Sequence, residues 1–342
     1  FFGSEFAERV AEGILMLEDN WRGPLADKNG HEEALSHWTS IADDMGGVKD
    51  NWRLELFLTK ALIDAYIKRK HSLEMHFQQQ AYEKLRHAED TGTEKAIKNA
   101  RDALAEPDLK FPDKELLKSQ MRKYNLVRYE DADEVLDNLY SSLSDRQWLE
   151  HEFKRILDMK DTSAQLSRID QILNWEDAGP GGFYDNLGVP GSQPHLVRQK
   201  SWKLDPGFTA SPIEFNVERP DSWWRQSWLV SALTRYDTPL LMKYEKLDKG
   251  ASYKIRVTYG GPFGQVFRLR ADEKYLIHDF MKAPKPMQPL EFDIPKDASE
   301  DGTLEFKWEL GNTRRGVGVS EVWLIKEQKN NKDKSGITVK GE

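Results

Sequence analysis

The densest chemical signal in this 342-residue chain is Ser222–Trp228, SWWRQSW, with three tryptophans inside six positions. The C–H-rich face of a pyranose stacks on flat apolar rings, and its hydroxyls call for planar hydrogen-bonding groups. Trp223, Trp224 and Arg225 offer both, and Trp202, Tyr236 and Arg235 could complete a loop cluster around a sugar. The competing reading is interior. Tryptophan is mostly buried, so at least one of Trp223 and Trp224 is expected to fill the core or the seam between domains. On an alternating strand Trp224 and Trp228 would share one face and Trp223 would take the other. Arg314-Arg315-Gly316 falls in a turn and could bind an anionic sugar through bidentate contacts, or simply be solvated. Tyr184 and His195 can be imagined as the acid/base pair of a polysaccharide lyase, although no spacing joins them.

Other chemistries fail on spacing. His31-Glu32 and His37 lack the His-Glu-x-x-His pattern of zinc proteases, since six residues place the two imidazoles about 240° apart around a helix. The acidic run Glu130, Asp131, Asp133, Glu134 and Asp137 lacks the glycine of a calcium loop and reads as a solvated helix face. His71, His76 and His87, set among lysine and glutamine, read as surface. No Gly-x-Ser-x-Gly, zinc signature or phosphate-cradling glycine loop is present.

Composition narrows the classes further. The net charge of −8 disfavours nonspecific nucleic-acid binding, which needs a basic footprint. With no cysteine there are no disulfides, no thiolate catalysis and no cysteine zinc sites. No apolar run reaches the ~18 residues of a membrane span. Charged residues are 32% of the chain, but 11% aromatics argue for packed cores rather than disorder. The chain opens FFGSEFAERV, without an initiator methionine or a basic-then-apolar leader, and is expected to be a piece of something longer.

The elements that must position these residues change rhythm near residue 175. Upstream the apolar period is 3.6. It predicts helices from Ser4, over His31–Met45 up to Gly46-Gly47, over Asp50–Glu89, Thr93–Ala105, Lys114–Tyr124, Tyr129–Leu143, Ser144–Asp158 and Ser163–Leu173. The helix over 50–89 would span about 60 Å, so a kink or a coiled-coil-like hairpin is expected. Downstream the period is 2. Tyr253–Tyr259 (YKIRVTY), Val266–Arg270, Leu290–Ile294, Leu304–Trp308 and Val319–Ile325 read as short strands, and Trp228–Leu233 and Leu240–Tyr244 as weaker ones. Asn174–Val197, rich in glycine and proline yet carrying Trp175, Phe183, Tyr184 and Leu187, is an ordered joint rather than a flexible linker. The fold class is therefore α plus all-β in two domains: an antiparallel helical bundle over 1–174, a jelly-roll-like β-sandwich over 175–328, and a disordered polar tail over 329–342.

LDKGASYKIRVTYGG, PLEFDIPKDASEDGTLEFKWE and GVSEVWLIK together resemble the closing half of a galactose-binding-like β-sandwich. Helices followed by GGFYDNLG and such a sandwich resemble the C-terminal region of large exported bacterial carbohydrate-active proteins. The resemblance implies a structural calcium ion near the first and last strands, where Asp177 or Asp185, carbonyls of the joint and Glu321 would supply oxygens. Glu321 could instead face solvent or pair with Arg314 or Arg315. The resemblance implies a non-catalytic accessory region that binds a polysaccharide or oligosaccharide, is exported, and follows an upstream catalytic domain of the same polypeptide. The rivals are a polysaccharide lyase or glycoside hydrolase with its active site where helices meet strands, and a purely structural or protein-interaction module.

Overall fold

A computed structural model describes residues 2–20, 30–47, 51–110 (backbone alone over 106–110), 143–189, 192–201, 204–208, 224–235, 238–260, 266–311 and 316–328. The chain forms two compact units. The first is Phe1–Trp175 with Asn186–Gln193 and Gly207–Ala232; the second is Glu176–Asp185, Pro194–Pro206 and Leu233–Glu342. The first change of unit falls at Trp175, where the rhythm of the sequence changes. The helical unit also contains 186–193 and 207–232, which periodicity alone assigns to the sandwich. The two helices expected within 114–142 and the tail after residue 328 lie outside the described residues.

In the helical unit α1 (Ala7–Asp19) follows a single 3-10 turn, and α2 (Gly30–Asp44) ends at Gly46 and Gly47, whose positive φ angles of 73° and 105° close the helix. Gly47 N–H reaches back to the Ala42 carbonyl at 2.7 Å, meeting a carbonyl that the last turn would leave open. Then α3 (Trp52–Arg86) runs as one 35-residue helix, about 52 Å long at 1.5 Å per residue. The Asn51 side chain caps it by accepting from Leu54 N–H at 3.2 Å. After the one-turn α4 (Ala88–Thr91) and Gly92, α5 (Thr93–Lys110) returns along α3. The pairing of Thr93–Ala105 with the long helix, expected after the turn at Asp90–Gly92, is present, and α3 itself is one continuous helix. Further on, α6 (Arg146–Leu157) and α7 (Thr162–Leu173) follow, and Asp161 caps α7 by accepting from Ser163 and Ala164 N–H.

Two cores hang on α3. Its first half, with Leu54, Leu58 and Leu62, packs with Val10, Leu17, Leu35, Trp38 and Ile41 of α1 and α2. Gly13 is required there: a Cβ would lie 2.8 Å from the Trp38 ring, whose Nε1 donates to the Gly13 carbonyl at 3.1 Å. The second half, with Ala81 and Leu85, packs with Ile97, Trp148, Phe153, Ile156 and Ile172. Between the cores the same helix is polar yet buried, at Lys68, Lys70, Glu74 and Gln78. Two of these groups hold the chain leading into α6: Glu74 Oε2 accepts from Leu143 N–H at 2.6 Å and Gln78 Oε1 from Asp145 N–H at 2.7 Å. Backbone donors that no helix satisfies are met by side chains arriving from far along the sequence.

His71 lies on this polar stretch and is not the surface residue its neighbours suggest. Its Nδ1 is buried without a hydrogen-bond partner, and burial, aided by the Lys68 charge, lowers its pKa to about 4. The unfolded chain, with an ordinary imidazole, takes up a proton between pH 6.5 and 4 that the folded chain refuses. Stability contributed above pH 6.5 is therefore lost as pH falls through that window, at up to about 1.4 kcal/mol per unit. Denaturant titrations at pH 7 and pH 5 should show a His71→Gln protein losing about 2 kcal/mol less than the parent over that interval. Equal losses in the two proteins would refute the assignment.

The second unit is a sandwich of two antiparallel sheets. One has five strands on the path β1 (Phe183–Asn186), β9 (Gly318–Lys326), β4 (Tyr253–Tyr259), β7 (Leu290–Asp293), with β2 (Ala232–Leu233) also on β9; the other has the order β3 (Leu240–Glu245), β8 (Thr303–Leu310), β5 (Val266–Ala271), β6 (Tyr275–Lys282). Strict alternation sets the inward faces. Leu240, Met242 and Tyr244 of β3 and Leu304, Phe306 and Trp308 of β8 are all fully buried, opposite Ile255, Val257, Val322 and Leu324. A hydrogen-bond chain crosses this core: Trp308 Nε1 donates to Tyr259 OH at 3.1 Å, and Tyr259 OH donates to His278 Nε2 at 2.6 Å. His278 Nδ1 donates onward to the Asp279 carbonyl at 2.8 Å, which fixes the tautomer, and burial holds its pKa below the usual histidine range. Among the described residues no helix is long and apolar enough to cross a membrane.

Candidate functional site

Of the residues expected to meet a sugar, Trp202, Trp223 and Tyr236 lie outside the described residues, as do Arg314 and Arg315. Trp224 is half-buried. Arg225 is inside the helical unit, 4% exposed. Its guanidinium carbon sits 4.7 Å from the Trp148 ring centroid and 5.0 Å from that of Trp175, and its Nη1 is 3.2 Å from Asp145 Oδ2. Trp148 and Trp175 meet edge-on at 5.2 Å, and Trp228 adds a third ring 5.9 Å from Trp175. The stretch is not an alternating strand: Gln226–Leu229 forms the one-turn α8, and Gln226 N–H donates to Asp145 Oδ1 at 2.8 Å. Asp145 thus holds both the guanidinium and the backbone beside it. The cation spreads its charge over the faces of two indoles, which replaces lost hydration in a dry setting. Sequence reading picked out the arginine and missed Asp145, Trp148 and Trp175 as its partners, because they arrive from elsewhere in the chain.

In the sandwich the three carboxylates expected to share calcium go separate ways. Asp177 is exposed, and its Oδ1 accepts from Gly179 N–H at 2.7 Å within the glycine turn. Asp185 is buried; its carboxylate accepts from Tyr244 OH at 2.7 Å and from His195 Nδ1 at 2.8 Å. Glu321, fully buried on β9, accepts from Tyr184 OH and from Thr258 Oγ1, both at 2.9 Å. Among the described residues no group of three or more His, Asp or Glu is placed to hold a metal ion. Tyr184 and His195, weighed as acid and base, therefore serve two different carboxylates. His195 also stacks on the Tyr244 ring at 4.3 Å and meets Phe183 edge-on at 5.0 Å. Burial, with the Asp185 charge behind it, pushes the Tyr244 phenol well above its usual range, so it remains a donor.

One end of the sandwich holds a pocket of about 580 Å³. Tyr253 at the start of β4 pairs with Lys326 at the end of β9, and Lys254 with Asp293 at the end of β7, so three strand termini meet there. The turn before β1 joins them. Gly182 makes this approach possible, because a Cβ would lie 2.4 Å from the Ala178 carbonyl and 2.7 Å from the Leu324 carbonyl. Asp248, Ser252, Lys296, Lys326, Glu327 and Gln328 line the pocket. Lys326 Nζ donates to Asp248 Oδ2 at 2.7 Å, and that hydrogen bond holds the ammonium above its ordinary pKa. Asp248 Oδ1 accepts from Gly250 N–H at 2.9 Å, which braces the turn. The result is a concave patch of charged and neutral hydrogen-bonding groups on an ordered frame. None of it was singled out from sequence, since its members come from four separate segments. A second, more open depression of about 500 Å³ lies beside α3 and α5, at His76, Gln80, Lys84, Asn99 and Asp102.

No family model matches the sequence, and no curated protein matches it. Among solved structures there is a weak likeness to a family GH115 4-O-methyl-α-glucuronidase with specificity for decorated arabinogalactans. The identity is 9% and the TM-score 0.24. The match covers 88% of this chain and 34% of the glucuronidase.

Proposed function

We propose that this chain is a non-catalytic accessory region of an exported glycan-degrading protein, in which the sandwich holds carbohydrate and the helical unit is a scaffold. The observation that carries the reading is the pocket at the end of the sandwich. Its volume of about 580 Å³ is within the range of small-ligand sites. Carboxylate, ammonium, amide and hydroxyl groups converge in it, a mix of donors and acceptors that suits a ligand with a hydroxyl on nearly every carbon. Lys326 and Asp248 are already paired, so they present oriented hydrogen-bonding groups rather than bare charges. Trp202, Trp223 and Tyr236 are proposed, each on its own, as an aromatic platform for a sugar ring.

Retention of the whole chain on immobilised polysaccharides in native gels tests this. A Lys326→Met/Glu327→Ala protein should keep the parent's melting temperature and lose about tenfold in affinity on whichever polysaccharide retards the parent, the expected scale for removing two hydrogen-bonding heads. Retardation equal to the parent's would rule the pocket out, and Trp223→Ala in the same gel tests the platform separately.

A further inference from the structure

We infer that the pocket at the end of the sandwich selects a sugar bearing an anionic group, and that Lys296 reads that group. The inference rests on the carbohydrate-binding reading of the same pocket and adds the chemical class of its ligand. Four charged side chains line the pocket, and three of them are matched. Lys326 pairs with Asp248 at 2.7 Å, and Glu327 lies 3.6 Å from Lys254 Nζ, which itself approaches Asp293 at 3.3 Å and Glu291 at 3.7 Å. Lys296, also in the lining, is the exception: among the described residues no carboxylate stands within ion-pair distance of its ammonium.

The ammonium is carried on ordered backbone. Lys296 opens a 3-10 turn, Lys296–Ser299, directly after Pro295. The Pro295 carbonyl accepts from Ala298 N–H at 2.9 Å, and the Lys296 carbonyl accepts from Ser299 Oγ at 3.2 Å. The cation is therefore carried by an ordered turn in the lining of the pocket. A ligand filling the pocket with hydroxyls leaves this charge unanswered; one that also carries a carboxylate or sulfate answers it with a charge-assisted hydrogen bond. Such a contact at a partly exposed site is screened by salt, whereas the hydroxyl contacts are not.

The test uses the full chain and three probes, galactose, galacturonate and galactose 6-sulfate, with affinities from calorimetry or chemical-shift titration at low salt and at about 1 M salt. Galacturonate and galactose 6-sulfate should each bind about threefold to fivefold tighter than galactose at low salt, with most of that advantage gone at high salt. Lys296→Gln should remove the advantage and leave galactose binding unchanged. Equal binding of charged and neutral sugars, or a preference that survives Lys296→Gln, overturns the inference while the carbohydrate reading stands. Inorganic phosphate binding as tightly as galacturonate would also overturn it, since the pocket would then be selecting charge alone. No binding of any of the three sugars overturns both.

Discussion

Arg225→Ala should destabilise the helical unit by about 3–5 kcal/mol, the usual cost of removing one partner of a buried ion pair. The side chain is 4% exposed, with its guanidinium carbon against both the Trp148 ring (4.7 Å) and the Trp175 ring (5.0 Å). Alanine empties that slot and leaves the buried Asp145 carboxylate without the cation 3.2 Å away. Lysine is the informative second change. It keeps the charge but not the flat, weakly hydrated surface that lies against two indoles, so Arg225→Lys should recover only part of the loss. Urea unfolding followed by helical circular dichroism measures both variants with no sugar present. Were Arg225 a glycan contact instead, the alanine protein would unfold like the parent and fail only on polysaccharide. Stability within about 0.5 kcal/mol of the parent would refute the buried role.

The architecture was legible because it depends on period. Alternation of Tyr253, Ile255, Val257 and Tyr259 survives as β4, and the spacing of Leu54, Leu58, Ala61, Leu62 and Ala65 survives as the buried face of α3. What period cannot show is a polar residue whose partner is distant in sequence. Lys68, His71, Glu74 and Gln78 look like a solvated face, yet Glu74 and Gln78 are buried to serve backbone donors 67 to 69 residues away. The SWWRQSW stretch misled for a related reason. On a strand Trp224 and Trp228 would share one face, but Gln226–Leu229 is a one-turn helix beside the Arg225 ion pair with Asp145. Tertiary contacts overrule weak local preference in so short a segment. Glu321 and Asp185 stand out in the sequence as carboxylates near the first and last strands, but their burial does not. Sequence could not reveal that hydroxyls and an imidazole answer them, since Tyr244, Thr258 and His195 carry no marker of that task.

Asp185→Ala should be nearly as costly as the arginine change, about 3–4 kcal/mol, because it strands two donors at once. Tyr244 OH, in a fully buried ring, and His195 Nδ1 both point at the carboxylate. The loss should be coupled. In a Tyr244→Phe background one stranded donor is already gone, so Asp185→Ala there should cost about 1–2 kcal/mol less, and a double-mutant cycle reads that difference directly. The carboxylate also fixes His195 as the Nδ1–H tautomer, and the ring stacks on Tyr244 at 4.3 Å. Together these contacts hold the segment after β1 against β3, where Lys243 N–H donates to the His195 carbonyl at 2.8 Å and Val197 N–H to the Leu241 carbonyl at 2.9 Å. With Asp185 removed, the amides of Lys243 and Val197 should exchange with solvent faster than those of β8, and the histidine nitrogen shifts should report mixed tautomers. An unchanged melting curve with unchanged exchange at both amides would mean that the buried carboxylate contributes nothing to the clasp, and that packing of Phe183, His195 and Tyr244 alone holds this edge of the sandwich.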